Sequence, residues 1–199
     1  MPADVTPQQR RTTLAGIAVS TVVALALWWG LLTFLPAPKT VNSLYTAFGC
    51  IPIAGLLTLV AGVEAVAHER LVTAAIDPLA GVETKRLRVN FRYLSNTLEQ
   101  YVVFAAGLVA LSMYASAKLL VIVTIVWVIM RWAFWIGYHK SPLMRGIGAP
   151  GMLQSMIVLL YVAFRFGSSA YGVSVGVLLL VVFAVIEAIL FWAVKRPSQ

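Results

Sequence analysis

VNFRYLSNTLEQYVVFAAGLVALSMYA, residues 89–115, decides how this chain is read. From Tyr101 onward the stretch carries no charged residue. As a helix it is about 40 Å long, enough to cross a hydrocarbon core about 30 Å thick. Its first turns nevertheless hold Arg92, Asn96 and Glu99, spaced by four and three. That spacing puts a cation, an amide and a carboxylate on one helix face. Ionisable groups inside a span are costly, and they usually face a bundle interior or a polar cavity.

The rest of the chain agrees with a membrane reading. Of 199 residues, 61% are apolar and 11% are charged, under half the charged share of a soluble domain. Mean hydropathy is +0.91. A water-soluble fold of this size cannot hide that much apolar surface. Soluble globular, disordered and collagen-like classes are therefore excluded. The single cysteine, Cys50, lies in an apolar run and reads as a small buried thiol.

Six spans are expected. The first, Leu14 to Leu35, follows a polar segment ending at Thr13 and is too long for a signal-peptide core. The others run from about Val41 to Val63, Val89 to Ala115, Ala117 to Tyr138, Gly151 to Phe166 and Tyr171 to Val194. Polar loops are expected at about His68 to Arg88 and His139 to Pro150. Pro52 should kink the second span, and Gly172-x-x-x-Gly176 fits a close helix contact in the last one.

The net charge of +8 tests the count. Six spans collect Arg10, Arg11, Arg70, Lys85, Arg86, Arg88, Arg92, Lys140, Arg145, Lys195 and Arg196 on one side. Only Lys39, Lys118 and Arg165 fall on the other. The bias puts both termini and the basic loops in the cytoplasm, at the inner membrane if the source is bacterial. The excess charge thus marks topology, and no nucleic-acid partner is expected.

A second polar stripe, Arg131, Phe134 and Tyr138, lies at the end of the fourth span, and Arg145 follows in the loop. Both stripes sit at the cytoplasmic ends of their helices, hence at one membrane depth. A plainer reading has Arg92 snorkelling, Glu99 pairing with Arg131, and Tyr138 in an aromatic belt. His68-Glu69 lacks the second histidine of a zinc helix, and no metal site is expected.

Two motifs carry a family resemblance. Arg92-Tyr-Leu-Ser-Asn96-Thr-Leu-Glu99 and Arg131-Trp-Ala-Phe134-Trp-Ile-Gly137-Tyr138 with Arg145 stand in order, about forty residues apart. Together they resemble the membrane-associated proteins in eicosanoid and glutathione metabolism (MAPEG), which include microsomal glutathione transferases. The resemblance implies a four-helix core over residues 41–166. Segments 1–40 and 167–199 would each add one transmembrane helix, for an all-α protein of six spans. It implies a homotrimer with glutathione as co-substrate, bound between subunits near the cytoplasmic face. It further implies that Arg92, Asn96, Glu99 and Arg131 bind glutathione, with Arg70 contributed by a neighbouring subunit. Arg145 would stabilise the thiolate, and Tyr138 would stand close to the sulfur. Gln100 and Phe134 depart from members that carry tyrosine at those places.

These residue types suit the tripeptide. Arginine forks match carboxylates, Glu99 can receive an ammonium, and a nearby cation favours thiolate over thiol. The expected function is a glutathione transferase, with possible peroxidase activity, acting on a lipophilic small-molecule electrophile that enters from the lipid bilayer. Two alternatives stay open: a non-catalytic lipid-binding or scaffold protein of the same fold, and a transporter using Glu99 and Arg131.

Overall fold

A computed structural model describes residues 6–39 and 42–195, with side chains described through residue 193. Arg196 and the Lys195 side chain, both used above for topology, lie outside the described residues. Helix α1 spans Pro7–Phe34, α2 Ser43–Gly55, α3 Ala61–Leu71, α4 Lys85–Leu111, α5 Ala117–Lys140, α6 Ala149–Tyr171 and α7 Val173–Lys195. A π-turn, Leu56–Val60, joins α2 to α3, and a 3-10 segment, Pro142–Gly148, joins α5 to α6. Among the described residues six helices are long and apolar enough to cross a membrane, with α2, the π-turn and α3 forming one of them. Val22, Trp29, Phe34 and Val102 point outward, as lipid-facing side chains do.

Several boundaries differ from expectation, each for a local reason. Helix α1 starts at Pro7, seven residues before the expected start of the first span at Leu14. Thr6 and Gln9 form a capping box there, and Pro7 occupies the first helical position. The 68–88 loop is shorter than expected. Helix α3 continues to Leu71, with His68 and Arg70 in its last turn, where the helix dipole favours cations. Helix α4 begins at Lys85 because the Thr84 hydroxyl accepts from Leu87 N at 3.0 Å. The same hydroxyl donates to Glu69 Oε1 at 2.7 Å and so ties α3 to α4.

Pro52 does perturb its span. It cannot donate to the helical ladder, and the π-turn follows within one helical turn. The carbonyls around the irregularity are taken up by side chains of α4 and α5. Tyr101 Oη donates to Ile51 O at 2.9 Å, Tyr93 Oη to Thr58 O at 3.2 Å, and Trp132 Nε1 to Leu57 O at 2.9 Å. These bonds tie the irregular span to α4 and α5. Gly62 lets the Tyr93 ring in: a Cβ there would stand 3.0 Å from it.

Contacts divide the chain into a unit over Met1–Ser155 and another over Met156–Gln199. In the first, Ala24 of α1 packs with Ile122, Val126 and Met130 of α5, flanked by Leu27, Trp28 and Leu31. Gln154 reinforces this seam: it accepts from Trp28 Nε1 and donates to Val123 O, both at 2.8 Å. Lys118 Nζ donates to Leu32 O at 2.7 Å and satisfies a carbonyl in the last turn of α1. Trp127 stacks on Phe104, centroids 4.4 Å apart, and Cys50 is buried as expected. In the second unit Gly176 meets Gly167, where a Cβ on Gly167 would lie 3.0 Å from Gly176 Cα. Gly172 is not a packing residue of α7. It is the connection between α6 and α7, with φ of 97°, a region glycine enters readily.

Candidate functional site

Helix α4 has two chemical faces. Leu87, Asn90, Tyr93, Thr97, Phe104, Leu108 and Leu111 are buried. Arg92 and Glu99 are exposed, and Asn96 is half-buried at the border between the two. Among the described residues Arg92 and Glu99 make no hydrogen bond or ion pair. The expected three-residue stripe is therefore present, with its ends free and its centre engaged.

The centre is engaged by α5. Arg131 is only 1% exposed, and its guanidinium is clamped on three sides. Nη2 donates to Asn96 Oδ1 at 3.1 Å, and Nη1 donates to Gln100 Oε1. The Phe134 ring lies beneath the guanidinium, with its centroid 4.5 Å away. Gln100 Nε2 also donates to Asn96 Oδ1 at 3.3 Å. Two donors thus converge on the Asn96 oxygen and fix which way its amide points. Asn96 Nδ2 has no acceptor among the described residues and is left to donate elsewhere. Arg131 Nε is buried without a hydrogen-bond partner. Glu99 does not pair with Arg131; the neutral Gln100, one residue on, takes that place.

Gln100 and Phe134 are the two departures from the family pattern, and both contact Arg131. The sequence marked them only as missing phenols. Their shared partner was not legible, since Gln100 and Arg131 are 31 residues apart on different helices.

Tyr138 is half-buried one turn after Phe134, its ring 5.8 Å from that of Phe134 by centroid. Arg145 is exposed on the 3-10 segment and makes no hydrogen bond or ion pair among the described residues. The segment is seated on α5 through glycines. Gly137 faces the Met144 carbonyl, and Gly148 faces Phe134 Cβ and Met130 O so closely that neither glycine leaves room for a Cβ. Contacts therefore run from Asn96 through Arg131 and Phe134 to the segment that carries Arg145. Arg70 stands apart from this chain of contacts. Its guanidinium lies over Phe91, 5.2 Å from the ring centroid, and its Nε is buried without a partner.

One polar cluster escaped the sequence reading. Asn90 is buried, donates to Ala65 O at 3.3 Å, and accepts from Trp135 Nε1 at 3.0 Å. His139 Nε2 lies 2.9 Å from the same Asn90 oxygen. That oxygen can only accept, so Nε2 carries the proton and Nδ1 is the free nitrogen. Tyr93 stacks on Trp135, centroids 4.4 Å apart. The sequence signal was the spacing Asn90, Tyr93, Thr97, a stripe on the opposite face from Arg92 and Glu99. The cluster borders a cavity of about 550 Å³ that Glu69, Lys85 and Arg86 also line.

The donor set fits glutathione chemically. Among the described residues, free cations (Arg92, Arg145), a free carboxylate (Glu99) and an oriented amide donor (Asn96 Nδ2) suit a ligand with two carboxylates, an ammonium and a thiolate. A family model described as the MAPEG family matches residues 44–168. No curated protein and no solved structure matches the chain.

Proposed function

The chain belongs to the MAPEG family and is an all-helical, multi-pass integral membrane protein; from that premise we propose that it is a glutathione-dependent transferase acting on lipophilic electrophiles. One observation carries this reading. The two polar motifs, far apart in sequence, are joined by the Arg131–Asn96 hydrogen bond, while Arg92, Glu99 and Arg145 have no hydrogen-bond or ion-pair partner among the described residues. Free ionic side chains on membrane-spanning segments are costly unless a ligand or a neighbouring subunit engages them.

In this reading Arg92 takes a glutathione carboxylate with its planar fork, and Glu99 takes the ammonium. Arg70, from a neighbouring copy in a homotrimer, takes the second carboxylate. Asn96 donates through Nδ2 to the tripeptide backbone. Arg131 does not meet the ligand; it acts through Asn96, whose oxygen it holds. This is a narrower role than the direct contact expected from sequence.

Glutathione supplies a thiol whose ionised form is the nucleophile. Arg145 stabilises the thiolate by its charge, and each unit by which it lowers the thiol pKa corresponds to about 1.4 kcal/mol. Tyr138 donates a hydrogen bond toward the sulfur. The thiol proton leaves to solvent, the sulfur–carbon bond forms, and the leaving group departs with its electron pair. Reduction of lipid hydroperoxides is the companion activity: the same thiolate attacks a peroxide oxygen, the O–O bond breaks to release the alcohol, and a second glutathione converts the resulting sulfenic acid to disulfide and water. The cytoplasmic placement of both termini and of Arg145 belongs to the same reading.

The test is a glutathione titration of the purified protein with and without an aryl halide. Saturable thiolate absorbance with turnover is expected. Absence of glutathione binding overturns the proposal. Binding of lipid without any conjugation turns the reading to a scaffold role.

A further inference from the structure

The matched region begins at residue 44, so α1 lies outside it. Its position is nevertheless not peripheral. Gly146, the residue after Arg145, faces α1: a Cβ there would stand 3.0 Å from Ile17 Cγ1 and 3.4 Å from Thr13 Cγ2. Gly16 of α1 faces Ile147 in return, at 3.8 Å by the same measure. Met144, the residue before Arg145, has its carbonyl against Gly137 of α5. The backbone on the two sides of Arg145 is thus gripped by different helices, α5 before it and α1 after it. The α1–α5 seam, bridged by Gln154 of α6 between Trp28 Nε1 and Val123 O, fixes the two gripping helices to each other.

We propose that α1 is a working part of the site: Ile17, packed on Gly146, is a positioning residue that sets where the Arg145 side chain stands. The inference rests on the role given to Arg145 above. A short 3-10 segment has few backbone hydrogen bonds of its own and holds its place through its neighbours. Glycine at 146 permits the close approach, and a Cβ there makes the Ile17 side chain give by a few tenths of an ångström. Small displacements of an electrostatic group matter, since misplacement by about 1 Å can cost a hundredfold in rate.

The experiment uses the full-length protein in detergent and two readouts. Hydrogen–deuterium exchange over residues 142–148 reports the grip without any ligand. The absorbance of bound glutathione thiolate against pH reports the position of Arg145. Gly146→Ala and Ile17→Ala are each expected to speed exchange in the segment. Each should also lower the thiolate fraction at neutral pH about threefold to tenfold. Combining them gives the new Cβ on residue 146 the space that the shortened residue 17 leaves, and should restore part of both signals. Ile17→Val is the milder variant if Gly146→Ala fails to fold, with smaller changes of the same sign.

Unchanged exchange in these variants overturns the grip. Faster exchange with an unaltered thiolate titration, in a protein where Arg145→Ala abolishes the thiolate, overturns the positioning role and leaves the proposed function standing. An Arg145→Ala protein that keeps full thiolate absorbance removes the premise, and the inference falls with it.

Discussion

Arg131 Nη2 donates to the Asn96 oxygen at 3.1 Å, joining the two halves of the candidate site across 35 residues of sequence. The bond is part-buried, its arginine is only 1% exposed, and Gln100 completes the clamp by accepting from Nη1. Gln100→Leu leaves a buried guanidinium nitrogen unpaired, at a cost of about 1–3 kcal/mol. The thermal unfolding temperature of the detergent-solubilised protein should fall accordingly. Gln100→Glu keeps an acceptor and should recover most of the loss. Equal stability of the leucine variant and wild type would show that the clamp contributes nothing.

Arg145 is the cation assigned to the sulfur. Arg145→Ala should reduce the absorbance of glutathione thiolate at neutral pH about tenfold, as for a one-unit rise in thiol pKa. Binding of S-methyl glutathione, which has no ionisable thiol, should change by less than about twofold. A loss of both signals would mean that Arg145 binds the tripeptide rather than tuning its thiol.

Glu99 and Arg92 lie two turns apart on α4 with no hydrogen-bond or ion-pair partner among the described residues. Removing a charge-assisted hydrogen bond of this kind typically costs about 1.5–3 kcal/mol. Glu99→Gln should therefore weaken glutathione binding by at least about tenfold in a calorimetric titration. It should leave the affinity for a des-amino analogue of glutathione unchanged. Arg92→Ala should weaken both ligands. Equal losses for both ligands in Glu99→Gln would detach Glu99 from the ammonium.

Asn90 serves two donors, Trp135 Nε1 and His139 Nε2. Asn90→Leu strands the indole N–H in a buried place and should lower stability by about 1–3 kcal/mol. The thiolate titration of the folded variant should match wild type, because Asn90 bonds to Ala65, Trp135 and His139 and to none of the residues assigned to the ligand. A shifted titration would bring the cluster into the site.

Topology gives a further check. Reporter groups fused at the N-terminus and at the C-terminus should both be reached from the cytoplasmic side only. A cysteine at Lys118, in a Cys50→Ser background, should be labelled by an impermeant reagent from the opposite side. Opposite-sided termini would remove the six-span arrangement.

Much of the fold was legible because it follows from local chemistry. A chain this apolar has no soluble solution, and each span is a run long enough to satisfy its own backbone in lipid. Pro52 announced the irregular second span, since proline removes a donor wherever it stands. Helix ends were less legible. Thr6 and Gln9 started α1 at Pro7 rather than Leu14 through a capping box that hydropathy does not register.

The sequence by itself determined that this is a membrane protein of six spans, and its Arg92–Asn96–Glu99 and Arg131–Tyr138 spacings identified the family. Spacing on one helix decides which residues share a face, and no tertiary contact is needed for that. Tertiary structure alone decided which of those residues are free. Arg131 chose Gln100 and Asn96 over the charged Glu99. Gly137 and Gly146 became the two grips beside Arg145. Such choices depend on how helices rotate and how closely their backbones approach. In lipid, close packing and internal hydrogen bonds rather than apolar burial settle both.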